Sequence, residues 1–289
     1  TLRNSLEIMP TTTVTSSSHE LTIDITGKST DEIVQLLLST YLNGYTVITL
    51  QGPNAGKVAF VRKHVHEFIA AEIMEVTSNK IVINIFWDIK TIDLHSIINR
   101  TSHITKSIFS ETLELLESGE NATDIIEKGF EVQRQVLLAR RAIKYALNNS
   151  AAAHKFNLSS LELLYVSYII YFLGMIGDYI LKIAQIMDKS KMNEFKDLLK
   201  DKGAVSELKT LITRASDYYS KVIDAYNQQK KLTKFIFSEY VDFEAAIDVF
   251  RKKNPQLWAP VLAEYLKLLI FKIKETEFMM ISMENAPKY

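Results

Sequence analysis

Two acidic residues on one predicted helix are the first candidates for chemistry in this 289-residue sequence. Glu127 and Glu131 stand four positions apart, and residues with this spacing share one face of a helix. Two carboxylates on one face can bind the same hard cation, because such ions prefer oxygen ligands. They are candidate metal ligands, although we assign no metal site to them.

Histidine and cysteine offer less. His64 and His66 lie two positions apart on a predicted helix and so point to different faces, whereas helical metal-binding pairs usually stand four apart. We therefore interpret both as surface histidines. The chain contains no cysteine, which excludes disulfides, zinc fingers, iron–sulfur clusters and thiolate catalysis.

The segment Gln51-Gly-Pro-Asn-Ala-Gly-Lys57 imitates a phosphate-binding loop, because it follows a predicted strand and precedes a predicted helix. The nucleotide-binding motif requires four residues between its glycines and a Ser or Thr after the Lys. Here three residues separate the glycines and Val58 follows the Lys, so we interpret the segment as an exposed turn. We find no other catalytic arrangement and predict that the protein is not an enzyme and holds no cofactor.

The elements that would position these residues follow from the distribution of proline, which breaks helices. The chain has only 9 Gly and 5 Pro, and no proline lies between Pro53 and Pro255. Lys plus Arg and Asp plus Glu both number 34. Zero net charge argues against a surface devoted as a whole to nucleic acid or anionic lipid.

The first part of the chain predicts a small α/β unit. Leu21 to Ile25 alternates apolar and polar residues, as a half-buried strand does. Ser29 and Glu32 form a capping box at the start of a helix that ends at Asn43-Gly44. Further elements are predicted as a strand at 45–50, a helix at 58–71 and strands at 73–76 and 80–86.

The remainder is predicted as helices that form two three-helix bundles, since long helices with short connections pack antiparallel. The fold class is therefore α+β, mainly α, with a βαβαββ unit before the bundles. The domains are a remnant and linker at 1–19, the α/β unit at 20–87, and bundles at 88–187 and 188–289. The helices are predicted at 90–118, 121–149, 158–187, 203–229, 231–252 and 260–285, with a short one near 190–200.

Two apolar features have alternative interpretations. Tyr165, Tyr168 and Tyr171, with Tyr179 beyond them, follow helical spacing and mark either a partner groove or, more commonly, a bundle seam. Met279, Met280 and Met283 indicate core filling or a homodimer contact. The uncharged stretch 163–177 is shorter than the roughly 20 residues that span a bilayer. We interpret it as a core helix and expect a cytoplasmic protein without membrane insertion.

Two helical stretches resemble the PhoU family of phosphate uptake regulators, whose fold is two three-helix bundles. Residues 108–134 resemble the family's helix, acidic-Gly turn and "I-E-x-D-x-E-V-D-R" segment. Tyr171-Phe-Leu-Gly-Met-Ile-Gly-Asp178 is similar to the signature "R-x-L-E-R-I-G-D". Residues 36–48 and 68–82 resemble archaeal-type members, which carry an AbrB-like DNA-binding domain first. Ser5 to Pro10 is similar to the last strand of that domain, and we expect the rest of it to lie upstream.

The resemblance also bears on metal binding, because PhoU proteins can carry metal clusters on acidic pairs. The paired Asp positions of the first signature hold Gly129 and Gln133 here, and the Glu of the second is Gly174. Of the second signature's acidic residues only Asp178 remains, and the resemblance makes it a third candidate ligand. Glu127 and Glu131 are displaced by two residues from the family positions. We therefore expect no cluster of the family type.

The resemblance implies a cytoplasmic regulator of phosphate uptake that works by protein–protein contact, as a homodimer. Its implied target is the ATPase subunit of a phosphate transporter. The alternative is a transcriptional regulator that binds DNA only through the AbrB-like domain missing from this chain, while the α/β unit and bundles sense a signal.

Overall fold

The computed structural model confirms the predicted class: it is mainly helical, with a small mixed sheet near the N-terminus. The predicted remnant at 1–19, except its last residue, and the whole of the short helix predicted near 190–200 lie outside the described residues. The structure describes residues 19–54, 56–88, 91–118, 122–188, 201–228, 237–255 and 258–286.

The α/β unit has the predicted order β-α-β-α-β-β. Its sheet order is β1-β2-β4-β3; β1 runs parallel to β2, and β4 is antiparallel to both β2 and β3. One face of the sheet packs under the helices, with Ile23, Ile48 and Ile83 buried. The elements are β1 (Glu20–Asp24), α1 (Thr30–Leu42), β2 (Val47–Gln51), α2 (Val58–Val65), β3 (Ala71–Thr77) and β4 (Lys80–Ile85).

The local capping signals predicted from sequence are present. Ser29 Oγ accepts a hydrogen bond from the Glu32 N–H at 3.2 Å, and Glu32 Oε2 accepts one from the Ser29 N–H at 2.7 Å. These bonds satisfy backbone donors that a helix start leaves without partners. Gly44 has φ +90°, the left-handed conformation expected after α1.

Helix α2 is shorter than predicted. It ends at Val65 rather than at 71, and the chain turns back into β3 at Ala71. Ala70 adopts a left-handed φ of 64°, which cannot continue a right-handed helix. The apolar residues Phe68 and Ile69 therefore pack from a turn rather than from a helix face.

The helical part follows the predicted pattern with one addition, α5, in a stretch predicted as a loop. Asn149 Oδ1 accepts a hydrogen bond from the Ala152 N–H at 3.1 Å, so the polar run at 148–150 begins a helix as well as ending one. The elements are α3 (Leu94–Ser118), α4 (Thr123–Leu147), α5 (Ser150–Phe156), α6 (Ser160–Met187), α7 (Lys202–Asn227), α8 (Phe237–Lys253) and α9 (Trp258–Glu284).

The helices form two mutually packed triplets, α3-α4-α6 and α7-α8-α9. The most extensive contact between described helices is nevertheless the one between α6 and α9, which belong to different triplets. Buried residues of both triplets accordingly join in one hydrophobic cluster. Met280 is buried in it and Met279 and Met283 pack against it, as core-filling methionines do.

Helix α6 is the one described helix that is long and apolar enough to cross a bilayer, but 56% of its most apolar window is buried inside the protein. Its burial is consistent with the predicted core helix of a soluble protein.

Candidate functional site

The structure separates the acidic residues proposed as metal ligands. Glu131 Oε1 accepts hydrogen bonds from Arg100 on α3 at 2.8 Å and from Gln135 at 2.7 Å. Glu127, one turn earlier, is exposed to solvent. Glu131 is thus engaged in pairing α4 with α3, away from Asp178 on α6.

Asp178 belongs to a small polar contact between α4 and α6. The Gln133 side-chain amide donates to Asp178 Oδ1 at 2.8 Å and to the carbonyl oxygen of Gly174 at 3.1 Å. Asp178 is exposed at the edge of this contact, but partial desolvation by its surroundings raises the pKa of its carboxyl, and the Gln133 hydrogen bond and the charge of Lys182 oppose that rise. The structure therefore brings together Gln133, Gly174 and Asp178, whose hydrogen bonds connect α4 with α6.

The glycines of the two signature stretches allow α4 and α6 to approach each other closely. A Cβ added to Gly129 would lie 2.5 Å from Leu181 Cδ2, and one added to Gly177 would lie 2.8 Å from Val132 Cγ1. At Gly174 the nearest atom would be Val136 Cγ1, at 3.2 Å. Gly129 and Gly174, which replace acidic residues of the resembled family, have a packing role here.

Across the described ranges, no group of three or more His, Asp or Glu side chains is arranged to hold a metal ion. His64 Nδ1 lies 3.0 Å from Glu67 Oε1, one turn along, and the His64 ring contacts Phe60 edge-on. His66 is exposed, while His64 is half-buried rather than fully at the surface as predicted.

The segment that imitates a phosphate-binding loop is anchored to the sheet. The Lys57 ammonium donates to the carbonyl oxygen of Ile25 at 3.0 Å. The Asn54 side chain is buried and donates to the carbonyl oxygen of Thr77 at 2.5 Å. The prediction of a simple exposed turn is wrong at Asn54, because this side chain satisfies carbonyl oxygens of the β3–β4 hairpin.

The tyrosine stripe divides between seam and surface. Tyr179 reaches the ring of Tyr265 on α9, at 6.3 Å between centroids, as the bundle-seam interpretation predicts. Tyr168 and Tyr171 instead expose 46% and 44% of their surfaces to solvent. For these two residues the preferred interpretation as a seam is wrong, because nearly half of each side chain faces solvent.

Tyr168 and Tyr171 are part of a larger aromatic patch, which we define as Tyr168, Tyr171 and Phe172 of α6 with Phe271 of α9. Phe172 is itself buried beneath this patch, and its ring lies 6.3 Å from that of Tyr168 and 5.8 Å from that of Tyr171. Phe271 is 36% exposed. Leu161 and Leu164 continue the same exposed stripe along α6. Exposed apolar areas of this kind are typical of protein-binding surfaces.

Three cations lie over the rings of the aromatic patch, and one of them is Lys274, whose Nζ is 5.1 Å from the centroid of Phe271. The Arg140 guanidinium carbon is 5.6 Å from the centroid of Tyr171. Lys272 Nζ is 4.8 Å from the centroid of Phe172 and 4.9 Å from that of Phe271. Lys272 thereby joins the α6 and α9 parts of the patch through cation–π contacts.

A second feature that the sequence reasoning missed is Arg141, which is fully buried where α4 meets the α/β unit. Its guanidinium lies 4.8 Å from the Tyr41 ring and 4.7 Å from the Trp87 ring, and it donates to the carbonyl oxygens of Tyr41 and Tyr45. Burial lowers its pKa to about 10, so it stays protonated near neutral pH. The sequence did contain one signal of this burial, because Arg141 follows Leu138 by three positions and so lies on an apolar stripe of α4.

No protein-family model, curated protein or solved structure matches this chain. The likeness to a family therefore depends on the sequence stretches alone.

Proposed function

We propose that the protein is a non-enzymatic regulator of phosphate uptake that acts in the cytoplasm by docking onto another protein. The observation that carries the docking step is the exposed aromatic patch. The phosphate connection comes from the resemblance of residues 108–134 and 171–178 to PhoU regulators. By the same resemblance, the partner is the ATPase subunit of a phosphate transporter and the working form is a homodimer.

The patch supports this function because its composition is that of a binding surface. Aromatic residues and arginine are enriched at protein interfaces, where they supply a large contact area at a small cost in conformational entropy. The patch is also built on two long helices that pack extensively against each other. A surface on such helices keeps its shape when a partner binds.

Phosphate uptake in a strain without the gene tests the proposal. We expect altered uptake, restored by the wild-type protein but not by a Tyr168→Ala/Tyr171→Ala variant. Phe130→Ala, which truncates another exposed aromatic residue outside the patch, is the matched control and should restore uptake. Normal uptake in the deletion strain would overturn the proposal.

The buried contact that Arg141 makes between the helices and the α/β unit supports a second candidate function, that of a transcriptional regulator. Arg141 links the α/β unit to the helices through buried hydrogen bonds. A signal that changes the arrangement of the bundles would therefore reach the α/β unit. Through it, the signal would reach the AbrB-like domain that this candidate places before that unit. A promoter fragment tests this candidate. Binding of the fragment by a protein that carries the AbrB-like domain, together with no binding by the present chain, would favour the transcriptional regulator. Capture of the transporter ATPase without any DNA binding would favour the first.

A further inference from the structure

We infer that the aromatic patch recognises an amphipathic helix of a partner protein whose apolar stripe is flanked by carboxylates. The inference rests on the proposed function in one respect, namely that a protein docks on this patch. It adds the chemistry of the partner segment, which can be tested without reference to phosphate.

The shape of the exposed stripe favours a helix. Leu161, Leu164, Tyr168 and Tyr171 follow one another at intervals of three and four residues along α6. Leu161 and Tyr171 are ten positions apart, which corresponds to about 15 Å along the helix axis. A partner helix with apolar residues at the same intervals can lie along this stripe, as one helix packs against another.

The charge of the patch favours an acidic partner. Arg140 and Lys272 contact aromatic rings, and neither forms an ion pair with any residue that the structure describes. Other surface lysines, such as Lys106 with Asp224 and Lys253 with Glu207, do have carboxylate partners. Carboxylates beside the partner's apolar stripe would form ion pairs with Arg140 and Lys272.

The same charges disfavour a second copy of this chain as the occupant. A two-fold dimer places the same surface on both sides of the interface. It would bring Arg140 and Lys272 of both copies together over aromatic surface, where like charges repel. A partner of opposite charge avoids this cost.

Two designed peptides of about 18 residues test the inference. Both carry the same Leu and Phe stripe, but one has Glu and the other Lys at the flanking positions. Fluorescence anisotropy with the whole chain measures their binding. We expect the Glu peptide to bind the wild type more tightly, and the difference to shrink as salt is added.

A charge exchange provides the sharper test. In Arg140→Glu/Lys272→Glu we expect about tenfold weaker binding of the Glu peptide and tighter binding of the Lys peptide. Lys63→Glu/Lys252→Glu reverses two exposed cations outside the patch. This control makes the same change in net charge and should leave both affinities within about twofold of the wild type.

Three results would overturn the inference: equal binding of both peptides to the wild type, binding of neither, or equal effects of the two charge-reversal pairs. Self-association that Tyr168→Ala/Tyr171→Ala abolishes would identify a second copy as the occupant and would also overturn it. Altered phosphate uptake is a separate readout, so failure of the proposed function is distinguishable from failure of this inference.

Discussion

The guanidinium of Arg141 on α4 donates a hydrogen bond of 2.9 Å to the carbonyl oxygen of Tyr45, in the connection between α1 and β2. The contact joins two regions that the sequence presents as separate units. The ring of Trp87, which follows β4, lies 4.7 Å from the guanidinium carbon and packs against the hydrophobic clusters of both regions. A buried cation therefore lies at the boundary between the α/β unit and the helices.

Replacing Arg141 should destabilise this boundary. Arg141→Leu removes the hydrogen bonds to the carbonyl oxygens of Tyr41 and Tyr45 and the cation–π contacts with Tyr41 and Trp87. We therefore expect the free energy of unfolding to fall by about 3 kcal/mol. Urea unfolding followed by circular dichroism measures the change. Arg140→Leu, at the preceding position and partly exposed, is the control and should cost less than about 1 kcal/mol. Equal losses for the two variants would contradict the role given to Arg141.

The close approach of α4 and α6 predicts that Gly177→Ala is destabilising, although alanine is the better helix former by about 1 kcal/mol. The new Cβ would lie 2.8 Å from Val132 Cγ1, and relieving such overpacking costs about 1–3 kcal/mol. Adding Val132→Ala removes the obstructing methyl groups. The double variant should then be more stable than the sum of the single losses predicts, and simple additivity would contradict the contact.

The Asp178 carboxyl should make stability depend on pH. Because partial desolvation raises its pKa in the folded state, the folded protein binds this proton more tightly than the unfolded chain. The resulting stabilisation is present at acidic pH and is lost as the pH rises through the folded-state pKa. The asparagine of Asp178→Asn does not titrate, so this variant does not lose stability in this way. Its free energy of unfolding relative to that of the wild type should therefore increase as the pH rises through the folded-state pKa of Asp178.

Urea unfolding at a series of pH values measures the difference between Asp178→Asn and the wild type. Glu114→Gln, which neutralises an exposed carboxylate on α3, is the control and should show a flatter profile. A difference between Asp178→Asn and the wild type that does not change with pH would contradict the prediction.

Metal content follows from the distribution of the carboxylates. Glu131 pairs with Arg100, and Asp178 accepts its hydrogen bond from Gln133, so we expect protein purified without chelators to contain no stoichiometric metal. Elemental analysis of the purified protein checks this. A stoichiometric metal that disappears in Asp178→Ala would contradict it.

The sequence by itself determined the features that depend on neighbouring residues. The cap formed by Ser29 and Glu32 and the left-handed Gly44 follow from interactions within a few positions. The long helices followed from apolar periodicity and from the lack of proline between Pro53 and Pro255. Local hydrogen bonds and backbone sterics act in the same way wherever these residues occur, so the residues themselves indicate the structure.

Only the tertiary structure decided which faces are buried and which side chains meet. Tyr165, Tyr168 and Tyr171 have the same spacing whether they face a seam or solvent, and the packing of α6 between α4 and α9 leaves Tyr168 and Tyr171 exposed. Arg141 finds its carbonyl partners nearly a hundred positions earlier in the chain. Periodicity defines a helix face but not its neighbour, because the neighbour depends on the joint packing of all the helices.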